Sequence, residues 1–480
     1  MLNCVPVEDL ERNLWSNLAL KEVSDEKKYQ LIDVLKSMGK FIEYDKYLDY
    51  FEDPDKIIDL DTHKILNSAM LNPEAQIDFL DFMETLSKSD KILLIQSMVE
   101  DYSSDDLANI ISPIILYEKD KEILEIIINE LVNSKSPLAY YPLKRFCELT
   151  ADETLLRTAK KGLKELQIMG ITEEKAKNYY QKRFNNSLLY TCYASLPDGK
   201  GNQGLIFSRI RSDNSIQLFC TVINDKNGIV DCFGFNTISQ LEFSLILKKF
   251  CNNEESFVTT FETGLSWLEE SEKMSFKNNS TLPYEYVCWK EILFDVNKTW
   301  GNSSDIMIKA LDILPKKECN FDEIFSTNYL DKLFFTKKDN NAFSIFIDSL
   351  DDEIASKGIN LSEIERQIKT NIVLIFDENT VDLLKHRLQK IAFILMSNSK
   401  HKIASEIYEL STNEAILKGF FKEALKKSLF VFCEQEFQRK YNEEADNIFI
   451  KNSKKYGTII DEKKLKDLLT LILSEWGKDE

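Results

Sequence analysis

The sequence predicts a mostly α-helical protein with a small α+β domain at its centre. Glycine and proline are scarce, at 14 and 9 of 480 residues, which favours helix over a turn-rich β protein. Apolar residues recur at spacings of three and four before residue 185 and again after residue 300, whereas the stretch between them alternates short apolar runs with turn residues. We therefore predict a helical region at 1–184, an α+β domain at 185–300 and a helical domain at 301–480.

The N-terminal region is predicted as a series of amphipathic helices. Between residues 78 and 86, Phe79, Phe82, Met83 and Leu86 fall on one helical face, and residues 122–132 are apolar over a wider arc, as in a helix buried between neighbours. Short helices joined by short polar loops resemble degenerate HEAT-like or armadillo-like repeats, and an irregular helical bundle is the alternative. The resemblance implies an extended surface that binds other proteins.

An antiparallel meander is predicted at the start of the central domain. Turn clusters separate four apolar segments, which are Ser187–Ala194, Leu205–Ile210, Ile216–Ile223 and Ile229–Gly234. Helices are predicted to follow at 239–250 and 283–294. The segment Gly199–Gly204 matches GxGxxG, but a dinucleotide site requires a helix after the glycines. Because a strand follows here instead, we interpret the segment as a hairpin loop.

The C-terminal third is again predicted as helical. Its helices are expected at Ile345–Ile354, Leu361–Ile375, Val381–Met396, Ile403–Leu410, Glu414–Tyr441 and Glu462–Trp476. No run of apolar residues approaches the roughly 18 that a membrane helix needs, and no secretory signal is visible at the N-terminus. Nine cysteines without a CxxC pair indicate reduced thiols, so we expect a cytoplasmic protein that contacts no membrane.

The chain is acidic, and the acidity is uneven. The formal net charge is −19, and residues 1–150 alone hold 30 Asp and Glu against 16 Lys and Arg. Such a surface repels phosphate backbones, which argues against nucleic acid as the partner. Residues 416–480 hold 13 Lys and Arg and 12 Asp and Glu, which leaves an RNA-binding surface there as a third, minor alternative.

The turn after the third predicted strand is the most polar part of the central domain. Its candidate binding residues are Asn224, Asp225, Gly228 and Asp231. The two carboxylates could approach each other across the turn and hold a ligand, or the segment could be a turn and a strand end alone. Leu196–Gly199, Ile223–Asp225, Gly228 and Asp231–Gly234 are also similar to an uncharacterised bacterial segment flanked by helical repeats, a resemblance that implies no activity.

The predicted function is that of a cytosolic scaffold or adaptor that uses an acidic helical surface. Its candidate contacts for a basic protein partner are Asp105, Asp106, Glu118 and Asp120. The alternative is an enzyme or ligand-binding protein, of unknown reaction, with its site in the central domain. The three histidines are scattered and fit no metal or catalytic motif, so we predict no metal and no cofactor. Catalytic residues are not assigned.

Overall fold

The chain folds into helices on both sides of one antiparallel sheet. A computed structural model describes residues 7–40, 48–69, 73–183, 187–250, 256–296, 303–315, 319–327 and 378–426, with scattered positions between these ranges. The fold is mostly helical with a five-stranded sheet near the middle of the chain, which confirms the predicted fold class. Within these ranges, no helix has both the length and the apolar character to cross a bilayer.

Two compact units make up the chain. The larger comprises residues 1–196, 201–310 and 397–399, and the smaller comprises residues 197–200, 311–396 and 400–480. The regions predicted at 1–184 and 185–300 therefore lie in the same unit. The boundary predicted at 301 lies ten residues before residue 311, where the main part of the smaller unit begins.

The larger unit begins with consecutive helices. They are α1 (Val7–Leu18), α2 (Asp25–Ser37), α3 (Pro54–Ala69), α4 (Pro73–Thr85), α5 (Lys88–Asp101), α6 (Ser104–Ile111), α7 (Ile114–Tyr117), α8 (Lys121–Asn133), α9 (Tyr140–Leu149), α10 (Glu153–Ile168) and α11 (Glu173–Arg183). The helix predicted at 122–132 is confirmed as α8, and it buries apolar side chains from Ile123 to Val132. Phe79 and Met83 are buried on α4 as predicted.

The sheet confirms the predicted meander and adds one strand. Its strands are β1 (Ser187–Ala194), β2 (Asn202–Arg211), β3 (Ile216–Asn224), β4 (Gly228–Ile238) and β5 (Phe257–Thr259), in the order β4-β3-β2-β1-β5. The fifth strand escaped prediction because three residues are too few for an alternating pattern to register. The GxGxxG segment joins the antiparallel strands β1 and β2, and no helix opens after it, as predicted.

Helices cover both faces of the sheet. Neighbouring strand residues point to opposite faces, so Ile206 and Leu218 pack with Phe243 of α12 (Gln240–Phe250), while Phe207 and Phe219 stack on the other face. That second face is covered by α13 (Phe261–Lys277) and α14 (Tyr284–Trp289). A 3₁₀ turn at Lys290–Leu293 follows α14.

The central domain contains both helices predicted after the meander and one further helix. The helix predicted at 239–250 is confirmed as α12, and the one predicted at 283–294 is confirmed as α14 with its 3₁₀ turn. Helix α13 was not predicted. It begins after the N-cap Thr260, whose side chain accepts a hydrogen bond from the amide of Thr263.

The smaller unit is helical in its described residues. The chain enters it at the end of α15 (Ser303–Leu311), and its helices are α16 (Phe321–Ser326), α17 (Glu378–Ser397), α18 (His401–Thr412) and a helical stretch at 414–426. The helices predicted at 381–396 and 403–410 are confirmed as α17 and α18. The helix predicted at 414–441 is confirmed as far as residue 426. Most of the helices predicted at 345–354 and 361–375, the one predicted at 462–476, and residues 427–480 with their balanced charge lie outside the described residues.

Candidate functional site

The acidic residues Asp105 and Asp106, predicted to bind a basic partner, both have partners within the protein. Asp105 accepts hydrogen bonds from the hydroxyls of Ser136, at 2.6 Å, and Tyr179, at 3.0 Å. Asp106 accepts a hydrogen bond from the hydroxyl of Ser103 at 2.6 Å, and its backbone amide donates a hydrogen bond to the same hydroxyl oxygen. Ser103 is the N-cap of α6, so Asp106 stabilises the start of that helix, whereas Asp105 links α6 to residues 31 and 74 positions away.

Glu118 and Asp120 hold the start of α8. Glu118 accepts hydrogen bonds from the amides of Lys119 and Asp120 and lies 3.4 Å from the amine of Lys91. Asp120 is the N-cap of α8 and pairs with Lys88 at 2.9 Å. The hydrogen bond from Lys88 is the main cause that lowers the pKa of Asp120.

The turn predicted as a ligand site packs against α13. Asn224 is buried, and its side-chain oxygen accepts two amides within the turn. Gly228 has a φ of +84°, and a Cβ at this position would overlap the side chain of Ser275. The amide of Ile229 donates to the Ser275 hydroxyl at 2.9 Å. Asn224 thus stabilises the turn itself, and Gly228 allows the turn to approach α13 closely.

Asp225 and Asp231 are not brought together. In the β3–β4 pairing, Asn224 lies opposite Gly228, while Asp231 lies opposite Val222. Asp225 lies in the turn beyond Asn224, three positions along the chain from Val222. In the described part of the chain, no group of three or more His, Cys, Asp or Glu side chains could hold a metal ion.

The cysteines on the sheet are buried, as predicted. Cys192, Cys220 and Cys232 lie on β1, β3 and β4 and are each at most 5% exposed. Burial raises the pKa of the Cys192 and Cys232 thiols. Because the thiolate is the nucleophile, these side chains pack as small apolar groups.

A half-open cavity lies between the N-terminal helices and the helices on the sheet. Its volume is about 620 Å³, and it is bounded by α7, α9 and α11 on one side and by α13, α14 and the 3₁₀ turn on the other. Its apolar lining includes Leu116, Tyr180, Leu265, Val287, Leu293 and Phe294. The volume is typical of a site for a small organic molecule, and nine charged side chains share the lining with these apolar groups.

One wall of the cavity carries a cluster of buried charges, which we call the Glu272 cluster. Glu272 on α13 has no exposed side-chain surface, and one of its oxygens, Oε2, accepts from Lys290 Nζ at 2.6 Å and from Arg145 Nε at 2.7 Å. Arg145 also pairs with Glu148 at 2.6 Å. Glu272 lies behind the wall, whereas Arg145 and Lys290 line the cavity.

The cluster shifts the ionisation of its members. Burial by itself would raise the pKa of Glu272, but attraction to Lys290 and Arg145 outweighs burial and lowers it. Burial is the main cause that lowers the pKa of Lys290 to about 8; Glu272 opposes this shift, and the charge of Arg145 adds to it. A lysine with such a pKa is a neutral amine for part of the time near neutral pH.

A second buried arginine holds the cavity wall in place. Arg209 on β2 is 2% exposed and binds Asp295 through two hydrogen bonds, at 2.7 and 3.0 Å. It also donates to the carbonyls of Ile292 and Ser187 and to the Ser187 hydroxyl. All five guanidinium donors are used, and the segment that carries Leu293 and Phe294 is thereby attached to the sheet.

The residues of this site were missed in the sequence. Arg145, Glu272 and Lys290 are far apart in the chain, and each resembles an ordinary surface charge. The one available signal was periodicity: Leu265, Leu268 and Glu272 are spaced as neighbours on one helical face, so a carboxylate falls on the apolar stripe of α13. Such a residue is buried, and a buried charge needs partners.

Comparison with known proteins finds no relative of this chain. The chain matches no protein-family model, and neither a curated protein nor a solved structure shows detectable similarity to it.

Proposed function

We propose that the protein binds a small organic molecule, with an apolar body and a polar end, in the cavity beside the Glu272 cluster. The observation that carries the proposal is the combination of about 620 Å³ of half-open, mostly apolar space with two buried cations on one wall. Apolar walls supply binding energy by excluding water from the ligand, and a few fixed polar groups orient it.

The two cations favour this function over a purely structural role for the cavity. Burying charged groups is costly, and apolar residues of similar volume often replace a buried ion pair without loss of stability. Arg145 and Lys290 are 11% and 17% exposed, and both lie on the cavity lining. Their remaining N–H groups can donate to a polar end of the ligand.

A fragment screen with matched variants tests the proposal. Saturation-transfer NMR would measure the binding of small aromatic and aliphatic alcohols, acids and aldehydes to the full chain. Leu116→Trp fills the open part of the cavity at a half-buried position and should abolish binding. Leu241→Trp changes an exposed leucine on α12 and should leave binding unchanged. The proposal is contradicted if both variants bind the fragments equally well or if both lose binding.

An adaptor function is the second candidate, and exposed apolar side chains on α3 and α5 favour it. Leu60, Leu93 and Val99 are 42%, 62% and 41% exposed, and a 3.2 Å hydrogen bond between His63 and Tyr102 joins these two helices. Exposed apolar groups set among acids suit a basic, partly apolar protein partner.

The described cysteines are free thiols, which suits a cytosolic location.

Charge reversal away from the structural carboxylates tests the adaptor function. Glu100 and Asp101, which are exposed at the end of α5, would both be replaced by lysine, with Asp322→Lys in the smaller unit as control. A protein that co-purifies from the native cells should be lost with the double variant and with Leu93→Ser and retained with the control. Retention with every variant would exclude this surface.

A further inference from the structure

The further inference concerns Lys290 and rests on the proposed ligand site. Lys290 begins the 3₁₀ turn after α14 and opens on the cavity, with its Nζ 5.6 Å from the centre of the Tyr286 ring. The charged groups that act on it are Glu272 and Glu269 from α13 and Arg145 from α9. It is thus an amine at the border between buried charges and an apolar cavity.

The composition of the Glu272 cluster allows Lys290 to lose its proton. Glu272 pairs with two cations, and Arg145, which also pairs with the more exposed Glu148, stays charged at every accessible pH. When Lys290 becomes neutral, Arg145 therefore still pairs with the buried carboxylate. A cluster of one carboxylate and one lysine would leave an uncompensated buried charge at that point.

We propose that Lys290 is a reactive amine that forms an imine with an aldehyde or ketone bound in the cavity. The neutral amine attacks the carbonyl carbon, and a C–N bond forms. The carbonyl oxygen then leaves as water together with the two hydrogens of the amine, so the step needs no oxidant or reductant. When the imine nitrogen takes up a proton, it again carries a positive charge beside Glu272, which stabilises it.

Lys144 and Lys177 also line the cavity, and Lys144 provides an internal control. Lys144 lies on the same cavity and pairs with Glu173 at 2.8 Å. Burial lowers its pKa, but the hydrogen bond and charge of Glu173 outweigh burial, so the pKa of Lys144 is raised overall. The two lysines thus see the same ligand with opposite shifts in basicity.

Reductive trapping tests the proposal. The full chain would be incubated with benzaldehyde and cyanoborohydride, which reduces imines to stable amines, and the modified peptides would be identified by mass spectrometry. At pH 7.5 we expect Lys290 to be modified at least about tenfold faster than Lys144, because an ordinary lysine is almost fully protonated at that pH. The rate at Lys290 should rise with a midpoint near pH 8.

Two variants separate this inference from the proposed function. Lys290→Arg keeps a cation beside Glu272 and should lose the trapped product, whereas Lys144→Arg should retain it. Benzyl alcohol, which lacks the carbonyl, reports on the cavity alone by NMR. Binding of benzyl alcohol with no preference of trapping for Lys290 would overturn the imine and leave the ligand site standing. If Leu116→Trp affects neither measurement, both proposals fail.

Discussion

In the N-terminal helices, carboxylates act near their own position in the chain: Asp106 binds the N-cap serine of its helix, and Asp120 is itself an N-cap. Glu272, in contrast, pairs with cations from other elements of the chain. The first group works at exposed or half-exposed positions, where each interaction is small. Glu272 is fully buried, and its partners Arg145 and Lys290 are supplied by α9 and by the turn after α14. A buried carboxylate at the proposed ligand site is therefore hard to recognise in the sequence among the many carboxylates that stabilise helices.

The largest effect is expected from Glu272→Gln. The change leaves Arg145 and Lys290 buried without their shared carboxylate, and removing one partner of a buried pair costs about 3–5 kcal/mol. Urea denaturation would measure the free energy of unfolding. The control is Glu153→Gln, which breaks an exposed pair with Arg157 and should change that energy by less than about 0.5 kcal/mol. Equal losses would remove the distinction between the two regions.

Gly228→Ala should have the next largest effect. A residue with a Cβ at positive φ costs about 1–2 kcal/mol, and here the Cβ would also overlap Ser275, which adds about 1–3 kcal/mol. Gly39→Ala has a similar φ of +74° with nothing within 4 Å, and it should show only the first cost. Thermal unfolding of both variants measures the difference, and equal losses would show that the turn is free of α13.

Ser103→Ala tests the local use of carboxylates on the N-terminal helices. It removes the N-cap of α6 and the hydroxyl that binds Asp106, for an expected loss of about 1 kcal/mol. Ser104→Ala changes the neighbouring exposed serine, which is inside the helix, and should be close to neutral. Urea denaturation compares the two, and a loss with Ser104→Ala as large as with Ser103→Ala would contradict the capping role.

The smallest effect concerns pH. The lysines Lys88 and Lys121 lower the pKa of Asp120 and Asp152 in the folded protein. A lowered folded-state pKa contributes stability above the unfolded pKa, and this stability is lost as pH falls through the folded pKa. Between about pH 5 and pH 2, the free energy of unfolding of the double variant Asp120→Asn/Asp152→Asn should therefore fall slightly less than that of the unchanged chain. Urea denaturation at a series of pH values would measure both. Identical pH profiles would show that these pairs are fully screened by solvent.

The fold could be predicted wherever its signal is local. The strands β1 to β4 were found because alternating apolar residues and turn clusters mark them, and α8 was found from its period. Helix α13 was missed because acidic residues interrupt its apolar stripe, and the acid at Glu272 is the centre of the site. The acidic residue that helped to hide the helix is therefore also the residue around which the Glu272 cluster forms.

The sequence by itself determined the helical class, the central meander and the turn at Asn224–Gly228, because dihedral preference, capping and period act within a few residues of the chain. Only the tertiary structure decided that Arg145, Glu272 and Lys290 meet, since they are separated by 127 and 18 positions and no local pattern links them. It also decided that the carboxylates of Asp105 and Glu118 pair with other groups of the protein. Burial changes the energy of a charge far more than sequence neighbours do, and burial exists only after the chain has folded.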